Sequence, residues 1–266
     1  MTLNFGKHYL TRYLLYAVAQ LLRRLFCLYT QLDYKCLYYL CEKYRYMKRI
    51  IIGVLVFCAA LAANAQNAQN DWADFKRYNQ ANESVQTKPR AVFMGDSITD
   101  HWYLMDADFF NDNNLVCRGI SGQTTSHMLV RFRRDVIDLA PKYVVILAGI
   151  NDIALNNGYM SLENILGNIQ SMCEIARVHK IKPVICSVLP ADRIVWRPEV
   201  KTPAEIVIEM NEMLQAYARS EKIQYVDYHS VLKDGNNGLP AEFAYDGLHP
   251  NLDCYKIMEQ IILQYL

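Results

Sequence analysis

The sequence predicts an α/β domain: a mostly parallel five-stranded sheet with helices on both faces. Short, mainly apolar runs recur at 91–94, 115–117, 143–148, 183–188 and 223–226, interrupted only by Ser187 and Gln224. Segments with helical spacing of apolar residues separate most of them. Strands buried on both faces read as continuous apolar runs, and parallel neighbours need crossovers that are usually helical. Glycine and short polar residues follow the first three runs, at the strand ends where such sheets bind ligands.

The elements follow in order. Trp72, Phe75 and Tyr78 are spaced as on one side of a helix over 72–82. Residues 91–94 form the first strand, ended by Gly95, and 115–117 the second. A helix over 126–139 carries Met128, Leu129, Phe132, Val136 and Leu139 on one side, and Pro141 closes it. The run 143–148 (YVVILA) is the clearest central strand. Ser161 caps a helix over 162–178. A strand over 183–188, a helix over 204–219, a strand over 223–226 and a helix over 251–265 complete the chain.

Composition bounds the function. Of 266 residues, 52% are hydrophobic and 21% charged, which excludes intrinsic disorder. The net charge of +1 gives no nucleic-acid footprint. That balance hides an asymmetry. Nine of the 19 tyrosines and a net charge of +5 lie in residues 1–46. Met47 then opens a new pattern: basic Lys48 and Arg49, an apolar run over 50–61, and Ala63-Asn64-Ala65 as a small-x-small cleavage site. These are the three parts of a secretory signal peptide over 47–65, with an apolar run too short for a membrane span.

Residues 1–46 then read as a leader upstream of the true start. The alternative is a genuine N-terminal extension whose basic, aromatic stretch over 9–29 lies on a membrane surface. Residues 66–266 form the domain proper, with a net charge of −6. The expected location is periplasmic or extracellular, with no stable membrane insertion after processing. Cys58 lacks the small preceding residues expected of a lipidated cysteine. Cys117, Cys173 and Cys186 sit in apolar stretches as buried thiols do, and with Cys254 they are expected to form no structural disulfide. No C-x-x-C or H-E-x-x-H signals a metal.

Four polar clusters carry the chemistry. Ser97 follows Gly95-Asp96 at the first strand's end, where a hydroxyl and helix N-terminal N–H groups meet. Taken alone it reads first as a helix cap, since Ser is a preferred N-cap residue. Asp246 and His249, three apart, supply a carboxylate and a base, the pair a serine needs for acyl transfer. Taken alone they are a turn aspartate and a surface histidine. Gly122 and Asn151 offer a backbone N–H and a side-chain amide to an oxyanion, or are merely turn residues.

Together these residues resemble a known family. Gly95-Asp96-Ser97-Ile98, the block over 119–125 (GISGQTT), Gly149-Ile150-Asn151-Asp152 and Asp246-Gly247-Leu248-His249-Pro250 are similar to the four ordered blocks of the GDSL, or SGNH, hydrolases. Within that family the chain looks most like secreted bacterial esterases and the acetylhydrolase subunits acting on platelet-activating factor. The resemblance runs from about Trp72 to the C-terminus.

The resemblance implies a flavodoxin-like three-layer α/β/α sandwich. It implies Ser97 as nucleophile, His249 as base and Asp246 as the group orienting it. The Ser97 and Gly122 N–H groups and the Asn151 amide would form the oxyanion hole. No metal and no organic cofactor is implied. Ile98, Ile150 and Cys254 depart from the usual pattern without touching a catalytic position.

Three rivals stand against an esterase of this kind. An α/β-hydrolase needs G-x-S-x-G, which is absent from the sequence. A carbohydrate-binding module would not need all five chemical positions. A membrane scaffold rests only on residues 1–46. The expected substrate is a small-molecule or glycan ester, first an acetyl group on carbohydrate. The alternative is a lysophospholipid, another lipid ester or a thioester. Trp102, Tyr103 and Trp196 are the expected substrate-lining residues.

Overall fold

The computed structural model describes residues 71–266 continuously, and residues 18–20, 43–44, 47–48 and 51 as isolated helical positions. The chain divides into two compact units, Met1–Asn70 and Asp71–Leu266. The expected leader and signal peptide lie, apart from those isolated positions, outside the described residues. Among the described residues, no helix is long and apolar enough to cross a membrane.

Five strands form one sheet: β1 (Ala91–Gly95), β2 (Leu115–Gly119), β3 (Tyr143–Leu147), β4 (Lys182–Cys186) and β5 (Gln224–Val226). Their order is β2-β1-β3-β4-β5 and every pairing is parallel. This is the flavodoxin-like doubly wound order, with its switch point beside β1. All five residues of β1 and of β3 are buried, so both faces are covered and Val, Ile and Phe can fill every position. β1 is flush with both neighbours: Gly95 pairs with Gly119 on one side and Leu147 on the other. The polar clusters that follow these three strands therefore leave the sheet at one level.

Within residues 71–266 the α-helices are α1 (Asn79–Glu83), α2 (Ser97–Met105), α3 (Ala107–Asp112), α4 (Thr125–Phe132), α5 (Ile150–Ile153), α6 (Leu162–Val178), α7 (Pro203–Glu221), α8 (Tyr228–Leu232) and α9 (Leu252–Ile262). The long crossovers α6 and α7 and the final helix lie where their periodicity predicts. The segment 72–82 does not. Asp74 takes a left-handed φ of 53°, and the Asp71 carboxylate accepts the N–H groups of Phe75 and Lys76, so 71–78 runs in turns and helix begins only at Asn79. The expected helix over 126–139 is α4 continued by a wider π-turn, Arg133–Ile137, which keeps Asp135, Val136 and Ile137 all buried. α2 and α3 are short helices that the apolar spacing does not announce.

The tightest packing lies under α2. A side chain at Gly119 would run into the backbone of Thr99 and Asp100, so glycine lets the first turn of α2 lie directly on the end of β2. Cys117, Cys173, Cys186 and Cys254 are buried free thiols, each pushed up by burial, Cys117 to about 11.

Candidate active site

Ser97 is the first residue of α2. Asp96 caps that helix, its carboxylate accepting the Ile98 N–H at 3.0 Å. Burial, with the nearby Asp152 charge adding to it, pushes the Asp96 carboxyl up to about 7 against the pull of the Ile98 N–H and Arg131. Ser97 is mostly buried, and its Oγ lies 2.9 Å from His249 Nε2.

His249 comes from the other end of the chain, in the loop before α9. Buried Leu248 anchors that loop, and a bridge between Ala244 and Pro250 closes it. Asp246 Oδ2 lies 2.6 Å from His249 Nδ1, while its Oδ1 accepts the N–H groups of Leu248 at 2.9 Å and His249 at 2.8 Å. Partial burial opposes its ionisation, but the hydrogen bonds from His249 and Leu248 win and hold the carboxyl below its ordinary range. An ionised carboxylate only accepts, so Nδ1 carries the proton and Nε2 is left to accept from the serine hydroxyl.

The loop after β2 and the helix after β3 meet beside this row. Gly122 has φ +79°, a conformation costly for any residue with a Cβ. Buried Asn151 donates from Nδ2 to the Gln123 carbonyl at 3.1 Å. Its neighbour Asp152 accepts both the N–H and the hydroxyl of Thr125, at 2.9 and 2.7 Å, tying the two blocks together. Beneath them Arg131, with no exposed surface, bonds Gln123 Oε1 at 2.6 Å, Asp135 at 2.8 Å, and the carbonyls of Gly95 and Arg118 at 3.0 and 2.8 Å. One guanidinium therefore holds the ends of β1 and β2 and the loop bearing Gly122. A buried, fully bonded charge of this kind is costly to disturb.

Aromatic rings surround His249. Trp196 and Tyr245 stack with it at centroid distances of 6.1 and 5.7 Å, and His101 approaches to 5.1 Å. The Tyr245 hydroxyl reaches His101 Nδ1 at 3.1 Å. Trp196 is 41% and Tyr245 60% exposed, so both present surface at the rim.

The structure brings Ser97, Asp246 and His249 into one row, joins Asn151 to the Gly122–Gln123 loop, and sets Trp196 against His249. It does not bring Trp102 to the rim. Trp102 is 1% exposed, stacks on Phe109 and Tyr255, and donates its indole N–H to Glu259 at 3.2 Å. The expectation that it lines the substrate site is corrected: five residues past Ser97 on a helix, it points into the core. Tyr103 is exposed but packs on Phe110 rather than among the rings around His249.

Sequence reasoning passed over His101, Arg131, Asn156 and Tyr245. Two signals were available: His101 lies four residues after Ser97, hence on the same helical face, and Arg131 interrupts the apolar side of its helix. Among the described residues no group of three or more His, Cys, Asp or Glu is placed to hold a metal ion.

Known proteins share the fold. A crystal structure from Bacteroides thetaiotaomicron, titled a GDSL-like lipase, is 42% identical with a TM-score of 0.71, covering 73% of this chain and 98% of that one. A Bacteroides fragilis structure assigned as an acylhydrolase is 42% identical with a TM-score of 0.72, covering 74% and 97%. A lipoprotein of Bacillus subtilis is 37% identical over 75 residues, 27% of this chain and 31% of that protein. The chain spans less than half the length of the curated relatives it matches. The profile of the GDSL-like lipase/acylhydrolase family matches residues 93–257, more than half of the chain, from within β1 to within α9. That span takes in the serine, the histidine and the strand ends between them, and the chain belongs to the GDSL-like lipase/acylhydrolase family.

Proposed function

We propose that this acylhydrolase cleaves carboxylic esters through an acyl-enzyme on Ser97. His249 Nε2 takes the Ser97 proton as Oγ attacks the ester carbonyl carbon. Asp246 holds the imidazole in the required tautomer and stabilises the imidazolium. The Ser97 and Gly122 N–H groups and the Asn151 amide receive the negative charge on the carbonyl oxygen. His249 then protonates the departing alcohol, and a water activated by the same imidazole releases the acid. The observation that carries this reading is the unbroken row Ser97 Oγ, His249 Nε2, His249 Nδ1, Asp246 Oδ2, with gaps of 2.9 and 2.6 Å. A fluorophosphonate probe tests it: covalent labelling at Ser97 supports the reading, and an unlabelled, folded protein refutes it in favour of a non-catalytic binding module.

The preferred substrate class is an acetyl ester on carbohydrate. The exposed faces of Trp196 and Tyr245 beside His249 support it, since aromatic faces suit sugar rings. Lipid esters are the second reading, favoured by exposed Leu104 and Met105 at the end of α2. Acetylated oligosaccharides assayed beside p-nitrophenyl esters of rising chain length separate the two. Export is part of the proposal, supported by the signal-peptide pattern over 47–65. N-terminal sequencing of the protein from its native host should find residue 66 first, and a terminus within 1–46 would refute it.

A further inference from the structure

The side chains of Trp196, Asn156 and Asn151 form a hydrogen-bonded chain that ends at the Gln123 carbonyl. Trp196 Nε1 donates to Asn156 Oδ1 at 3.1 Å. Asn156 Nδ2 donates to Asn151 Oδ1 at 2.7 Å and reaches the Gly122 carbonyl at 3.4 Å. Asn151 Nδ2 donates to the Gln123 carbonyl at 3.1 Å.

Both ends set the direction of this chain: the indole N–H can only donate and the Gln123 carbonyl can only accept. A carboxamide has nearly the same shape either way round, so its partners decide which end is oxygen and which nitrogen. An indole N–H donates and cannot accept. Asn156 must therefore turn its oxygen to Trp196, which turns its NH₂ to Asn151. Asn151 must then present its oxygen to Asn156, which leaves its NH₂ on the side of Gln123. That NH₂ has two hydrogens, and the Gln123 carbonyl uses one. Reversing Asn156 would set its NH₂ against the indole N–H and its oxygen against Asn151 Oδ1.

We propose that Trp196 and Asn156 are positioning residues: the indole N–H, acting through Asn156, fixes the orientation in which Asn151 offers its amide to the oxyanion. This rests on the reading of Asn151 as an oxyanion donor given above. Trp196 also stacks on His249, so one side chain touches the base and governs the donor. It sits in the 190–203 segment between β4 and α7, far in sequence from both. A preorganised donor loses most of its value when its dipole is free to turn.

The test uses p-nitrophenyl acetate, whose acyl group is small and whose aromatic leaving group meets a ring in both wild type and W196F. W196F keeps a ring over His249 and removes only the N–H; its kcat should fall about tenfold with KM within twofold, a part of the loss typical of a missing oxyanion donor. N156D is nearly isosteric; it keeps an acceptor for Trp196 and loses the donor for Asn151, so its kcat should fall at least as far as that of N156A. Because the two residues act in series, W196F/N156A should be no slower than N156A alone. Melting temperatures are measured on the same preparations. Variants with kcat within twofold of wild type and only a lowered melting temperature would overturn the positioning role, as would additive losses in the double variant. A wild type that labels at Ser97 and turns over attributes such a failure to this inference alone. A wild type that does neither overturns the serine-hydrolase reading, and this inference falls with it.

Discussion

Asp246 holds His249 at two points with two different oxygens. Oδ2 faces the imidazole Nδ1 at 2.6 Å, while Oδ1 takes the backbone N–H of the same residue at 2.8 Å. In D246N the remaining oxygen can still accept the backbone N–H groups, so the loop keeps its shape. The new NH₂ faces Nδ1 and forces the proton onto Nε2, the wrong tautomer to take the Ser97 proton. kcat should fall by on the order of 10⁴ with little change in melting temperature. A loss below tenfold, measured on p-nitrophenyl acetate, would show that tautomer control is not the role of Asp246.

S97A should abolish ester hydrolysis while leaving the fold intact. Removing the nucleophile removes the covalent route, a loss on the order of 10⁶ where such residues act as a unit. Circular dichroism matched to wild type, together with turnover above a tenth of wild type, would end the acyl-enzyme reading.

N151A should cost about 10²–10³ in kcat and far less in KM. Its proposed partner is an oxygen that becomes charged only on the way to the tetrahedral intermediate, so the lost interaction belongs to the transition state. If Asn151 serves only to hold the Gln123 carbonyl, kcat will stay near wild type while the melting temperature drops.

D96N should gain stability relative to wild type as pH rises. The folded Asp96 carboxyl titrates at about 7 rather than at its ordinary 3.8. Between those values the folded chain holds more protons than the unfolded one, so the stability of the wild type falls as pH climbs through that window and levels off above it. Asparagine keeps an acceptor for the Ile98 N–H and has nothing to titrate. Thermal melts of both proteins across the window should show the melting-temperature difference growing in favour of D96N. A difference independent of pH would contradict the raised titration of Asp96.

W102A should destabilise the domain by about 3–5 kcal/mol in urea unfolding, the cost of truncating a large core aromatic. It would strip the stacking partner from Phe109 and Tyr255 and leave Glu259 without its indole donor. A rim residue contacting only substrate would instead raise KM and leave the urea midpoint unchanged.

β1 and β3 were the most legible strands because they are buried along their whole length, and doubly covered strands leave continuous apolar runs. The four polar clusters were legible because each follows a strand end or precedes the last helix. Trp102 misled because nearness to Ser97 in sequence does not put a residue on the same helical face, and the 72–82 segment misled because its apolar spacing does not make a helix. Trp102 meets the core, and Trp72, Phe75 and Tyr78 share a turn set by Asp71 and by a left-handed Asp74. Asn156 left no sequence signal as a partner of the site, because its contact with Trp196 joins two loops that only the folded chain brings together.

Ser97 and His249 stand 152 positions apart along the chain. Closing a contact across that span costs more chain entropy than closing a local one, so this pair is expected among the later contacts of folding. During synthesis the serine emerges long before the imidazole proposed to activate it. A chain that has built β1 through β5 but not yet docked α9 holds an inert hydroxyl at the sheet's edge. On the proposed mechanism hydrolytic power should arrive with the last helix, so its onset in a refolding experiment would be a clock for the completion of the fold.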